Sequence, residues 1–183
     1  MKPRNYSSEG IVLARKNYGE ADRIVVIYSK HFGKLRLLAK GVRRPKSRKR
    51  GHIEVFSRLK FQVSRGKGMD LITEAEIIQN FSEIRKSLKK VTVAYFFMEA
   101  TGRVTHDEEK NEPLYELILL YMGKLQFLQG VSLKKLRSDF VYDCLVLLGF
   151  WPKGKIMTDS DRILAEIAER DISTIRVGKK LLT

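Results

Sequence analysis

Residues 34–68 read KLRLLAKGVRRPKSRKRGHIEVFSRLKFQVSRGKG. Thirteen of these positions are Lys or Arg, and one, Glu54, is acidic. The first 33 residues carry six bases and three acids, and residues 69–183 carry seventeen of each. The formal net charge of +15 therefore lies wholly in the first 68 residues. Like charges packed this closely repel one another and destabilise a compact chain, and the usual reason for them is a polyanionic partner. The spacing matters as much as the count. Lys34, Arg36 and Lys40 are interspersed with Leu35, Leu37 and Leu38, and Arg58 and Lys60 alternate with Leu59, Phe61 and Val63. This is roughly the period of two expected of half-buried strands with one wet face. Between them Arg43, Arg44, Lys46, Arg48, Lys49 and Arg50 form a run without an apolar residue, containing Pro45 and closed by Gly51. Such a run is a loop, and Arg65-Gly66-Lys67-Gly68 is a second, tight one. The stretch predicts a basic surface with a floor of strand and a rim of loop. A solubilising loop or a disordered basic arm are the bland alternatives; the basic polar positions of the flanking strands weigh against both.

Working outward, Glu9–Lys16 and the β-branched, aromatic Arg23–Ser29 read as strands, joined by a turn with Gly19 at the position suited to positive φ. Lys34–Val42, Ile53–Ser64 and Leu71–Ile78 complete five. Five strands in about 80 residues, with turn signals every 8–12, favour a small barrel or sandwich. The OB-fold leads, since such barrels present strand faces and loops to oligonucleotides; an SH3-like barrel fits the long basic loop less well.

From Ser82 the pattern turns helical. Ser82 is the expected N-cap of a helix to about Val104, with Ile84, Leu88, Val91, Ala94, Tyr95 and Met98 on one face. Thr105–Asn111 is a charged connector. Pro113 opens a second helix, where its missing N–H costs little, and Leu133–Leu148 makes a third whose broad apolar stripe implies burial. Thr158–Asp161 offers the cap of a fourth, and 172–183 is ambiguous. The fold class expected is α+β: a five-stranded OB-fold barrel over 1–80, then an all-α bundle over 81–183.

The sequence offers little catalytic chemistry. His31, His52 and His106 are scattered, and Cys144 is alone in an apolar run, so neither a triad nor a tetrahedral metal site is expected. Gly66-Lys67-Gly68 lacks the full phosphate-loop signature. Glu20 and Asp22 are expected to cap their turn and balance Arg23. No catalysis and no cofactor are expected. No apolar run approaches the roughly 18–20 residues of a membrane span, and the N-terminus lacks a secretory signal, so a soluble cytoplasmic protein is expected. Nucleic acid is the expected partner, because each neutralised phosphate releases counterions and a cluster of this size supplies affinity without base readout. Tyr18, Tyr28, Phe32, Phe56 and Phe61 are candidate platforms for bases, although most aromatics of a small barrel belong to its core.

Residues 9–51 resemble the opening of the RecO family of bacterial recombination mediators. The resemblance rests on Gly19-Glu20-Ala21-Asp22-Arg23, Phe32-Gly33-Lys34-Leu35 and Lys40-Gly41-Val42-Arg43-Arg44-Pro45-Lys46-Ser47. It continues through Glu54–Ser57, Asp70–Glu76 and Leu147-Leu148-Gly149-Phe150-Trp151-Pro152. It implies an OB-fold followed by a helical domain, and a non-enzymatic protein that binds single- and double-stranded DNA and anneals strands. It also implies work with RecR, and the loading of RecA on strands coated by single-stranded-DNA-binding protein (SSB). Many members carry a four-cysteine zinc module after the Leu-Gly-Tyr/Phe-x-Pro turn; here Lys153–Asp159 contains no cysteine.

The resemblance further implies a receptor for the SSB C-terminal tail, which ends in acids and a Pro-Phe pair. Lys124 and Arg137, beside Leu125, Leu128, Leu133 and Phe140, are the expected site, with Gln129–Ser132 joining the two helices as a hairpin. Plain bundle core is the competing reading of those apolar residues. An RNA-binding or ribosome-associated module is the competing reading of the basic half, since phosphate contacts do not distinguish sugars.

Overall fold

The computed structural model describes residues 4–47, 51–127 and 132–169. Arg48, Lys49, Arg50, Leu128–Val131 and 172–183, all named above, lie outside the described residues. The strands are β1 Asn5–Tyr18, β2 Asp22–Ser29, β3 Gly33–Ala39, β4 Arg58–Ser64 and β5 Leu71–Gln79. The helices are α1 Ser82–Arg85, α2 Leu88–Val104, α3 Glu112–Gln126, α4 Leu133–Leu147 and α5 Ser160–Ile167. Two compact units result: residues 1–80 with 105–112, and residues 81–104 with 113–183.

The strands close into a barrel in the order β1-β2-β3-β5-β4, the OB-fold expected from the pattern. β1 is longer than its apolar centre suggests because it serves both sides of the closure. Asn5–Ile11 pair with β4, and Gly10–Tyr18 pair with β2. A bulge between Val12 and Ala14 bends the strand between its two partners. Gly10 sits at the crossover: a Cβ there would lie 2.5 Å from Ile27 Cγ2 and 2.8 Å from the Tyr28 carbonyl oxygen. Val12, Val25, Ile27, Leu37, Leu59 and Phe61 fill the interior. β4 begins at Arg58 rather than Ile53, because Phe56 turns the chain at φ 55 to bury its ring.

β3 and β5 meet through a single parallel pairing, Leu38 with Leu71. Along the first half of β3 the connector takes the place of a strand. Asp107 forms a parallel bridge with Lys34, and the Glu108 amide donates to the Lys34 carbonyl at 2.8 Å. Gly33, at φ +67, lies against the Glu109 backbone where a Cβ has no room. The charged run 105–112 is therefore a structural part of the barrel.

In the second unit, Ser82 is not the cap expected. Phe81 takes the cap position at φ 53 and buries its ring, and α1 ends after one turn. Ser87 Oγ then accepts from the Lys90 amide at 3.5 Å at the start of α2. The buried side of α2 also differs from the expected stripe: Leu88 and Tyr95 are exposed, while Val93, Phe96, Phe97 and Ala100 are buried. A helix packed on several sides has no single apolar stripe to read. The rings of Phe97, Tyr121 and Phe140 meet at centroid distances of 4.2–5.9 Å in this core. Asp159 caps α5 by accepting from the Arg162 amide at 3.0 Å.

Candidate nucleic-acid interface

The cations of the barrel divide into those answered by a carboxylate and those that are not. Arg15 meets Glu54 at 2.5 Å, and Arg23 reaches the same carboxylate at 3.8 Å. Arg58 pairs with Glu9 at 2.8 Å, and Lys30 with Glu9 and Glu112 at 3.5 Å each. The Asp22 Oδ1 accepts from the Gly41 amide at 2.7 Å, tying the β1–β2 turn to the end of β3. Arg58, a predicted binding residue, is thus half-buried and committed. Lys60 is exposed but sits in register between Glu9 and Glu76 on its neighbouring strands.

Lys34 is the clearest departure from expectation. Its alternation puts it outward, yet it is only 6% exposed because the connector roofs it. Its ammonium donates to the Thr105 carbonyl and lies 3.3 Å from Asp107 Oδ1. Arg36, two residues on, is exposed and donates from Nε to Asp107 Oδ2 at 2.8 Å. Partial burial pushes the Asp107 carboxyl up, but the Arg36 hydrogen bond and the charges of Lys34 and Arg36 outweigh it and hold it below its ordinary value.

The remaining cations gather at one end of the barrel. Lys40 and Lys67 are exposed and have no carboxylate partner among the described residues; both line one groove with Tyr18, Leu38, Met69 and Leu71. The groove has a volume of about 330 Å³. Arg44 and Lys46 are exposed in the loop after β3, and Arg65 on the β4–β5 turn. The start of the basic loop is tied to the β1–β2 turn: the Arg43 amide donates to Ala21, and its guanidinium to the carbonyls of Gly19 and Glu20 at 3.4 and 3.1 Å. Register places Lys16, Ile24 and Leu38 side by side, and next to them Ala14, Val26 and Arg36. A half-buried apolar strip is thereby flanked by Lys16, Arg36, Lys40 and Tyr18. Lys16 is the residue that sequence reasoning missed; its signal is the two-residue step to Tyr18 on the same face of β1.

Of the five candidate aromatics, Tyr28, Phe56 and Phe61 are core, and Phe32 packs on Tyr6 at 4.7 Å. Tyr18 is 55% exposed. His31 and His52 are held by Ser8 at 3.0 Å and the Ala75 carbonyl at 2.8 Å. Among the described residues no cluster of three or more His, Cys, Asp or Glu could hold a metal ion, and no helix is long and apolar enough to cross a membrane.

In the helical unit three of the described residues of the expected tail site are buried. Leu125 and Phe140 are fully buried. Arg137 is buried too, paired with Asp161 at 2.6 Å and stacked over Phe96 at 4.0 Å. Burial lowers its basicity and Asp161 opposes that effect. Only Lys124 of the four is exposed, over the Tyr121 ring at 4.5 Å. Leu133 is half-buried at the start of α4.

The closed order of the five strands defines an OB-fold barrel. Comparison with known proteins agrees. Residues 1–81 match the family model described as "Recombination protein O N terminal". The chain is 33% identical over 147 residues to "DNA repair protein RecO" of Pelotomaculum thermopropionicum, covering 80% of this chain and 56% of that one. It is 32% identical over 174 residues to the protein of that name in Desulforamulus reducens, covering 92% and 63%. In Halalkalibacterium halodurans the figures are 34% over 113 residues, 62% and 44%. The chain belongs to the RecO family, and it spans about half the length of these relatives.

Proposed function

We propose that the β1–β3 face and the turns beside it bind DNA without catalysing a reaction, and that the protein serves recombinational repair. The observation that carries this is the sorting of charge. Arg15, Arg23, Lys30 and Arg58 are paired with Glu9, Glu54 and Glu112, and Lys34 is buried against Asp107, while Lys40, Arg44, Lys46 and Lys67 are exposed at one end of the barrel with no carboxylate partner among the described residues. A phosphate backbone gains counterion release there without first breaking an internal ion pair. Kinship with proteins named for DNA repair supports DNA, single- and double-stranded, as the polyanion. The same kinship supports strand annealing, action with RecR, and RecA loading on SSB-coated strands.

Neutralising Lys40, Arg44, Lys46 and Lys67 together should flatten the salt dependence of DNA binding. For four lost phosphate contacts on duplex, the slope of log K against log salt falls by about 3–4. Fluorescence anisotropy across a salt series reads this, and competition by matched RNA tells the two nucleic acids apart. An unchanged slope places the interface elsewhere; RNA competing better than DNA makes this an RNA-binding module.

For the SSB tail, the surface that fits an acidic peptide with an apolar end lies beyond the buried residues. Phe127 is 72% exposed three residues past Lys124. Lys90 donates to the Gln126 carbonyl at 3.0 Å, which brings a second cation beside it. Lys124→Glu with Phe127→Ala should abolish binding of a tail peptide and leave DNA binding intact; peptide binding that survives removes this assignment.

A further inference from the structure

Resting on the DNA reading above, we propose that the groove between Tyr18 and the β4–β5 turn is a subsite for one unstacked nucleobase, giving the barrel a contact to single strands that duplex cannot make. The walls are chemically suited to a base. Leu38, Met69 and Leu71 supply apolar surface, and Tyr18 an exposed aromatic ring. On a barrel that buries Tyr28, Phe56 and Phe61, an aromatic left 55% exposed at a groove is a stacking surface without its partner. Lys40 and Lys67 line the same groove, and their flexible ammonium groups suit the phosphates on either side of an inserted base.

No carboxylate lines the groove to repel those phosphates. The acid of the adjoining turn, Asp70, is turned away, accepting from the Tyr6 hydroxyl at 3.2 Å and the Gly66 amide at 3.4 Å. The same residue fixes the floor, since the Leu38 amide donates to its carbonyl at 2.8 Å across the β3–β5 seam. Gly66 lies against the Met69 carbonyl, where a Cβ has no room, so the turn is tightly folded. The site is thus preformed, and about 330 Å³ places it at the small end of ligand pockets, suited to one base rather than a stacked run. A base in duplex must be unpaired and unstacked before it can enter; a single strand offers it without that cost.

The test uses the full chain with Tyr18→Ala and Tyr18→Phe. Binding is measured by anisotropy to labelled oligo-thymidylate, to an abasic strand of the same length, and to duplex. Tyr18→Ala should weaken oligo-thymidylate binding by about 5- to 150-fold, the range for one lost stack. The abasic strand, the duplex and the salt slope should be unchanged, and Tyr18→Phe should retain affinity. Circular dichroism of the Ala variant guards against misfolding, and a side chain this exposed leaves the core intact. No loss in Tyr18→Ala, or equal loss on all three ligands, overturns the base subsite while the DNA reading stands. A wild-type protein that binds none of the three overturns both.

Discussion

Lys34 and Arg36 sit two residues apart on β3, look alike in sequence, and should fail in opposite ways when truncated. In Lys34→Ala the Thr105 carbonyl of the connector loses a charged donor, and Asp107 loses one of two cations. A hydrogen bond from a charged group contributes about 1.5–3 kcal/mol. The expected loss is therefore about 1.5–3 kcal/mol, or a Tm drop on the order of 10–20 °C for a unit of this size. Arg36→Ala removes an ion pair whose side chains are 61% and 43% exposed. Solvent screening limits that pair to about 1 kcal/mol or less. Its effect should appear in DNA binding instead, as a fall of about 0.9 in the salt slope if Arg36 meets one phosphate. Thermal denaturation and salt-dependent anisotropy on both variants decide the matter. A Lys34→Ala protein of wild-type stability with weakened DNA binding would refute the separation of structural from binding cations.

Gly10→Ala should destabilise the barrel by about 1–3 kcal/mol or more, since its methyl meets Ile27 and the Tyr28 carbonyl; urea unfolding checks it. The Asp107 carboxyl is held below its ordinary value of 3.8, so its stabilising effect is complete above that pH and disappears as pH falls through the lower folded value. The stability difference between wild type and Asp107→Asn should accordingly be constant above 3.8 and shrink below it, read by denaturant melts over an acid series. Cys144, buried among the helices with its thiol pushed up to about 12 by burial and then by Asp143, should resist a thiol reagent at pH 8 and react once denaturant is added.

The primary sequence determined the parts of this protein that depend on near neighbours. Alternation in β3 and β4, the β-branched run of β2, the charge confined to the first 68 residues, and a cap within Thr158–Asp161 are all legible within a few positions along the chain. Near neighbours also sufficed for the barrel, because strand spacing and turn residues restrict five short strands to few closures. Only the tertiary structure decided which cations are free. Lys34 and Lys40 are equivalent in charge and setting, yet one is roofed by residues 71 positions away and the other lines the groove. The same holds for Arg137, whose partner Asp161 lies on another helix, and for Phe140, claimed by the core formed with Phe97 and Tyr121. Electrostatic pairing and burial act through space, and a charge or a ring in sequence carries no mark of what will come to rest against it.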